Sequence, residues 1–140
     1  MSISFHFQKT CKLPERMRLK HFLKKMFNTE HQESIGLEII FCDDEYLLNI
    51  NREFLQHDYY TDIISFNLAA PGEPIEGELY ISVDRVRENA KEYSSSFLTE
   101  LHRVIFHGVL HLCGYKDKSA PDQKRMRQKE QEYLSLYFKN

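Results

Sequence analysis

Asp62-Ile-Ile-Ser-Phe-Asn-Leu68, Ala70-Pro-Gly-Glu-Pro74 and Gly77-Glu-Leu-Tyr-Ile-Ser82 follow one another through the middle of the chain. The outer two segments are rich in β-branched and aromatic residues, while the central one is made of turn formers. They read as two strands whose connection is short enough for an antiparallel pair. Working outward, Ile3-Ser-Phe-His-Phe7 alternates with period two, and Ile35 to Cys42 is a further β-rich run. Between these, from Pro14 onward, Met17, Leu19, Phe22, Leu23, Met26 and Phe27 fall near helical spacing, with proline at the helix start. Asp43 or Asp44 is placed to cap a helix holding Tyr46, Leu47, Leu48, Ile50 and Phe54. Downstream, Ser82 or Asp84 starts a helix running to about Tyr93. Thr99 to Cys113 is a strongly apolar helix that Gly114 stops, since glycine takes positive φ without steric cost. Ala120-Pro121 leads into a last, highly charged helix ending near Phe138. The order βαβαββααα predicts an α+β fold: a single domain spanning residues 1–140, about five helices packed on a small mixed four-stranded sheet.

The 140 residues suit one core, and ten Phe and eight Tyr supply ample apolar surface for it. Cys11, Cys42 and Cys113 are odd in number and widely spaced, which predicts reduced buried thiols rather than disulfides or a thiolate zinc knuckle. No segment approaches the roughly 20 apolar residues needed to span a bilayer. The start lacks a charged-then-apolar leader, which predicts a cytoplasmic protein. The net charge of −2 hides an asymmetry. Residues 1–42 carry seven Lys/Arg against four acids, residues 43–100 four against thirteen, and residues 101–140 eight against four. If the two basic ends meet, they form a face that attracts phosphate; otherwise they are solvated helix faces.

Chemistry concentrates in His107-Gly-Val-Leu-His111-Leu-Cys-Gly114-Tyr-Lys-Asp117. Two histidines four apart on a helix share a face with Cβ atoms about 5–6 Å apart, so both imidazoles can reach one ion. Gly114 ends the helix and lets the chain reverse, which brings Asp117 within reach as a third ligand. Three protein ligands with a place left open mark a catalytic rather than a structural zinc site. The spacing also invites comparison with zinc peptidases, which need a glutamate directly after the first histidine as general base. Gly108 stands there, so peptide hydrolysis is excluded while hydrolysis in general is not.

His107 through Tyr115 resembles the pattern His-Gly-x-Leu-His-Leu-x-Gly-Tyr-Asp-His of the YbeY-type bacterial rRNA maturation factors, a family of metal-dependent endoribonucleases, at every specified position. Leu48-Asn49, Arg52 and Thr61-Asp62-Ile-Ile-Ser65-Phe66 are similar to a second block of that family, and Gly77-Glu78-Leu-Tyr-Ile-Ser82 to a third. The chain departs from the pattern at Lys116-Asp117, where Asp117 takes the place of the third histidine. Aspartate is an adequate oxygen ligand, at about 2.0–2.2 Å, and adds a negative charge. The resemblance implies a two-histidine helix lining a cleft, single-strand-specific endoribonuclease activity in rRNA processing and ribosome quality control, and small-subunit ribosomal or assembly proteins as partners. It also implies that Arg52 lies near the metal and neutralises charge on the phosphate, where a planar fork of donors serves well. The expected site is thus one zinc ion on His107, His111 and Asp117, with Arg52, His107 and His111 catalytic and a groove whose cations come from the basic N-terminal helix, Lys116 and Lys118. Tyr115 is expected to pack with its hydroxyl in solvent, and His57 and His102 to be surface or structural. Two competing functions are a non-catalytic ribosome-assembly module with a structural metal, and a metal hydrolase of a small molecule, for which a tight apolar pocket would speak.

Overall fold

A computed structural model describes residues 1–139. Four strands, β1 (Ser2–Phe7), β2 (Ser34–Cys42), β3 (Ile63–Asn67) and β4 (Ile75–Ser82), and five helices, α1 (Arg16–Thr29), α2 (Asp44–Leu55), α3 (Val83–Glu92), α4 (Phe97–Leu112) and α5 (Ala120–Tyr137), follow the expected order. Asp43, Ser82, Ser96 and Ser119 cap α2, α3, α4 and α5, each accepting the backbone N–H three residues on. α1 departs from expectation. Glu15 takes a left-handed φ of 53°, and a helix cannot run through such a residue, so α1 begins at Arg16 and not at Pro14.

The sheet order is β1-β2-β4-β3, with β1/β2 and β2/β4 parallel and β3/β4 antiparallel, as the short connection between β3 and β4 requires. Strand periodicity aligns Leu37, Ile39 and Phe41 with Gly77, Leu79 and Ile81 on one face. That face and α1, α3, α4 and α5 enclose the main core, in which Phe27, Phe41 and Phe106 are the largest fully buried side chains. α2 covers part of the opposite face, where Leu47 and Ile50 meet Cys42 and Ile64.

Two glycines seat α4 on the sheet. A Cβ on Gly108 would lie 2.6 Å from Ile63 Cδ1 and 2.9 Å from both Leu79 methyls; one on Gly77 would lie 2.5 Å from Leu112 Cδ1. A side chain at either point would have to displace these methyls or lift the helix off β3 and β4. The same packing leaves little room for a glutamate at position 108, directly after His107 in the chain.

The three cysteines are free, Cys11 and Cys42 buried and Cys113 only half-buried, contrary to the expectation that all are buried. Burial pushes the Cys42 and Cys113 thiols up to about 12, so neither offers a thiolate at neutral pH. No helix among the described residues is long and apolar enough to cross a membrane.

Candidate metal centre

Glu100, Arg103, His107 and His111 form a polar stripe along the largely apolar α4, their spacing of three and four residues keeping them on one face. The two imidazole centroids are 4.6 Å apart, with the rings inclined at 76°. The helix stops as the sequence indicates. Gly114 takes φ 102°, its N–H donates to His111 O and that of Tyr115 to Leu110 O, both at 3.0 Å. This pair of bonds is a Schellman closure. The reversed chain returns Asp117 to the histidines, its Oδ2 lying 3.0 Å from His111 Nε2 and 3.4 Å from His107 Nε2. One ligand atom from each residue lies within 4.8 Å of the others. Donors held at the usual zinc distances stand about 3.3–3.6 Å apart along a tetrahedral edge. The two separations from Asp117 Oδ2 to the imidazole nitrogens are within a few tenths of an ångström of that edge. Two neutral nitrogens and a carboxylate oxygen are also a donor set a divalent cation takes, so these residues could hold one.

Behind this set stands a residue that sequence reasoning missed. Glu130 of α5, only 8% exposed, places Oε2 2.6 Å from His107 Nδ1 and Oε1 3.7 Å from Arg103. Arg103 in turn donates to Glu100, itself 3% exposed, at 3.3 Å. With Nδ1–H donated to Glu130, Nε2 is the free nitrogen and the ring cannot turn away from Asp117. Burial works against a charged His107, but the Glu130 bond and the carboxylates of Asp62 and Asp117 outweigh it and raise its pKa. The pKa of Asp62 is raised by burial, with the charge of His107 opposing; its carboxylate accepts an N–H from Asn89 at 3.2 Å and from its own backbone. Glu130 lies 19 residues beyond His111 in a highly charged helix, and no local pattern distinguishes it from its neighbours.

The centre opens on a cleft of about 560 Å³, lined mainly by polar side chains including Asn51, His57, Tyr59, Thr61, Ser65 and Asn67. Strand alternation puts Ser65 in the cleft and turns Phe66 to the other face, against Phe54 and Tyr80. Several expectations need correction. No residue of α1 lines the cleft, although the basic ends do meet: Phe22 of α1 packs on Tyr133 and Tyr137 of α5. Cations approach instead from α5, where Lys124 and Arg127 line a second hollow that shares Asp62 and His107 with the cleft. Lys116 and Lys118 are exposed on either side of Asp117. Tyr115 does not send its hydroxyl to solvent but donates it to Glu30 at 2.7 Å. His57 lines the cleft. His102 is structural: 1% exposed, stacked on Tyr137, its Nδ1–H donating to Leu98 O at 2.8 Å. Arg52 does not line the cleft. It is exposed, and its Nε lies 2.5 Å from Asp58 Oδ1, one residue along from the cleft-lining Asn51.

Two histidines and one carboxylate at the wall of a polar cleft, on an α+β scaffold, are a set that could hold one divalent ion as mononuclear metal hydrolases do. The family model described as endoribonuclease YbeY matches residues 4–137, and the chain belongs to that family. The endoribonuclease YbeY of Flavobacterium psychrophilum is 44% identical over 135 residues, which cover 96% of each chain. That of Cytophaga hutchinsonii is 48% identical over 124 residues, 89% of this chain and 87% of its own. The solution structure of TM1509 from Thermotoga maritima superposes with a TM-score of 0.62 at 25% identity, covering 99% of this chain and 89% of its own.

Proposed function

We propose that the chain hydrolyses phosphodiester bonds in single-stranded ribosomal RNA, acting in rRNA processing and ribosome quality control with one zinc ion on His107, His111 and Asp117. Membership of the family makes it a nuclease, a hydrolase acting on RNA. The observation that carries the metal assignment is the convergence of His107 Nε2, His111 Nε2 and Asp117 Oδ2 within 4.8 Å, beside a polar cleft. A divalent ion held by these three residues would supply Lewis-acid polarisation of a phosphoryl oxygen and a lowered pKa for water.

The rest falls to this chain's own groups. Glu130 holds the His107 ring, and Gly108 keeps α4 seated so that both imidazoles face the cleft. Arg52 is the residue assigned to the phosphate. Its partner Asp58 is exposed, so exchanging that carboxylate for a phosphodiester oxygen costs little desolvation. Lys124 and Arg127 attract the strand beyond His107. Ribosomal or assembly proteins of the small subunit are the partners assigned to it, and the cytoplasm its location. The polar lining of the cleft favours a strand over the tight apolar pocket that a small-molecule hydrolase would need.

The test is elemental analysis of protein purified without a polyhistidine tag, together with cleavage of single-stranded RNA by the wild type, His111→Ala and Asp117→Ala. One zinc per chain, lost with cleavage in both variants, is expected. Cleavage that survived both substitutions would belong to a contaminant. Metal bound without any cleavage would favour the assembly-module alternative.

A further inference from the structure

Asn51 is 1% exposed, yet it belongs to neither the core nor the metal centre. Its backbone carbonyl accepts the N–H of His57 at 3.1 Å, and its side-chain amide donates to the carbonyl of Tyr59 at 3.0 Å. Gln56, in the left-handed region at φ 56°, turns the chain out of α2 between these bonds. One buried residue therefore clamps both ends of the His57–Tyr59 segment, the first through its backbone and the second through its side chain. Arg52 and Asp58 add a third tie from the surface.

What this clamp presents is an aromatic pair. The His57 and Tyr59 rings stack with centroids 5.1 Å apart and planes 19° from parallel, and Tyr59 OH pairs with His57 Nδ1 at 2.9 Å. Both are exposed, Tyr59 at 56%, so the stack contributes little to the core. Both also line the cleft that holds His107, His111 and Asp117. A flat π-surface fixed in water beside a metal-ligand set meets the demands of an unpaired base. Stacking accepts any base, and a platform ordered in advance spends no side-chain entropy on binding.

We propose that His57 and Tyr59 form a nucleobase-stacking subsite, taking one unpaired base of the RNA strand whose phosphodiester lies at the metal centre. The inference rests on the endoribonuclease reading of that centre. It makes the site selective for single strands by chemistry, because a base held in a duplex has no free face to offer.

The experiment uses the full chain with a short single-stranded RNA, with the same RNA carrying one abasic position, and with the variants Tyr59→Ala, His57→Ala and Tyr59→Phe. Circular dichroism checks that each variant is folded. Tyr59→Ala is expected to raise KM about tenfold with little change in kcat, the scale of one lost base stack. Tyr59→Phe, which keeps the ring, restores most of the loss. The abasic RNA should bind the wild type as weakly as intact RNA binds Tyr59→Ala, and the variant should not weaken it further. Equal KM for wild type, Tyr59→Ala and His57→Ala would overturn the subsite while leaving the nuclease intact. So would an equal loss on intact and abasic RNA. A wild type that neither binds nor cleaves single-stranded RNA overturns the underlying reading, and the subsite with it.

Discussion

Replacing Glu130 is the sharpest perturbation of the candidate metal centre, because it leaves all three ligands in place. Glu130 contributes two separable effects at His107: it fixes the ring by a 2.6 Å bond to Nδ1, and it sets a negative charge against that ring. Glu130→Gln keeps an acceptor in the same place and removes the charge. Charge-assisted bonds are roughly twice as strong as neutral ones, so the Gln variant should retain the geometry and lose part of the affinity. Glu130→Ala removes both effects and deprives Arg103 of a partner 3.7 Å away. Loss of an outer carboxylate behind a metal-binding histidine typically costs about 10–100-fold in affinity, or about 1.4–2.8 kcal/mol. The Gln variant is expected near the lower end and the Ala variant near the upper. Competition with a chromophoric chelator reads the affinity, and urea unfolding in excess chelator reads the stability of the metal-free protein separately. If Glu130→Ala folds and binds metal as tightly as the wild type, while His107→Ala does not, the outer carboxylate has no role at this centre and the reasoning is refuted.

Gly108→Ala should lower the urea midpoint. The new methyl meets Ile63 and Leu79 below 3 Å, and overpacking of about 1–3 kcal/mol exceeds the roughly 1 kcal/mol that alanine adds to a helix; a more stable variant would show that α4 has room to spare. His102 is held neutral, its pKa lowered chiefly by burial. Its contribution is therefore complete above the ordinary histidine value of about 6.5 and is lost as pH falls from there through the folded value. His102→Phe should flatten that window of the stability–pH curve, and an unchanged slope between pH 7 and 5 would count against the assignment. Arg52→Ala should leave the unfolding midpoint unchanged, since its ion pair is exposed, yet reduce RNA cleavage; unaltered kcat and KM would reduce Arg52 to a surface partner of Asp58. RNA affinity should fall steeply with added salt, and a flat response measured by anisotropy would argue against phosphate contacts from Lys124 and Arg127.

Much of the molecule could be read locally. Alternation in Ile3–Phe7 and helical spacing in Thr99–Cys113 report which faces are buried, so element order and type followed from short windows. Caps act over three or four residues, and Asp43 and Ser82 do what their side chains permit. The α1 boundary failed because proline signals only a permitted start; the backbone at Glu15 decided it. The site divides in the same way. His107, His111 and Asp117 lie within one helix turn-and-reversal, where Gly114 alone accounts for the return. Glu130, Asn51, His57 and the α5 cations carry no local mark.

By itself, then, the sequence determined the strands and helices, the β3–β4 pairing, the two-histidine face and the exclusion of a peptidase, because each depends on residues a few positions apart. Only the tertiary structure decided that β4 lies between β2 and β3, that Glu130 stands behind His107, that α1 stays out of the cleft and that an aromatic pair enters it. Those are contacts between separate elements, and their partners are chosen by how whole faces pack: α4 can seat where Gly77 and Gly108 leave space, and every later neighbour of the site follows from that fit.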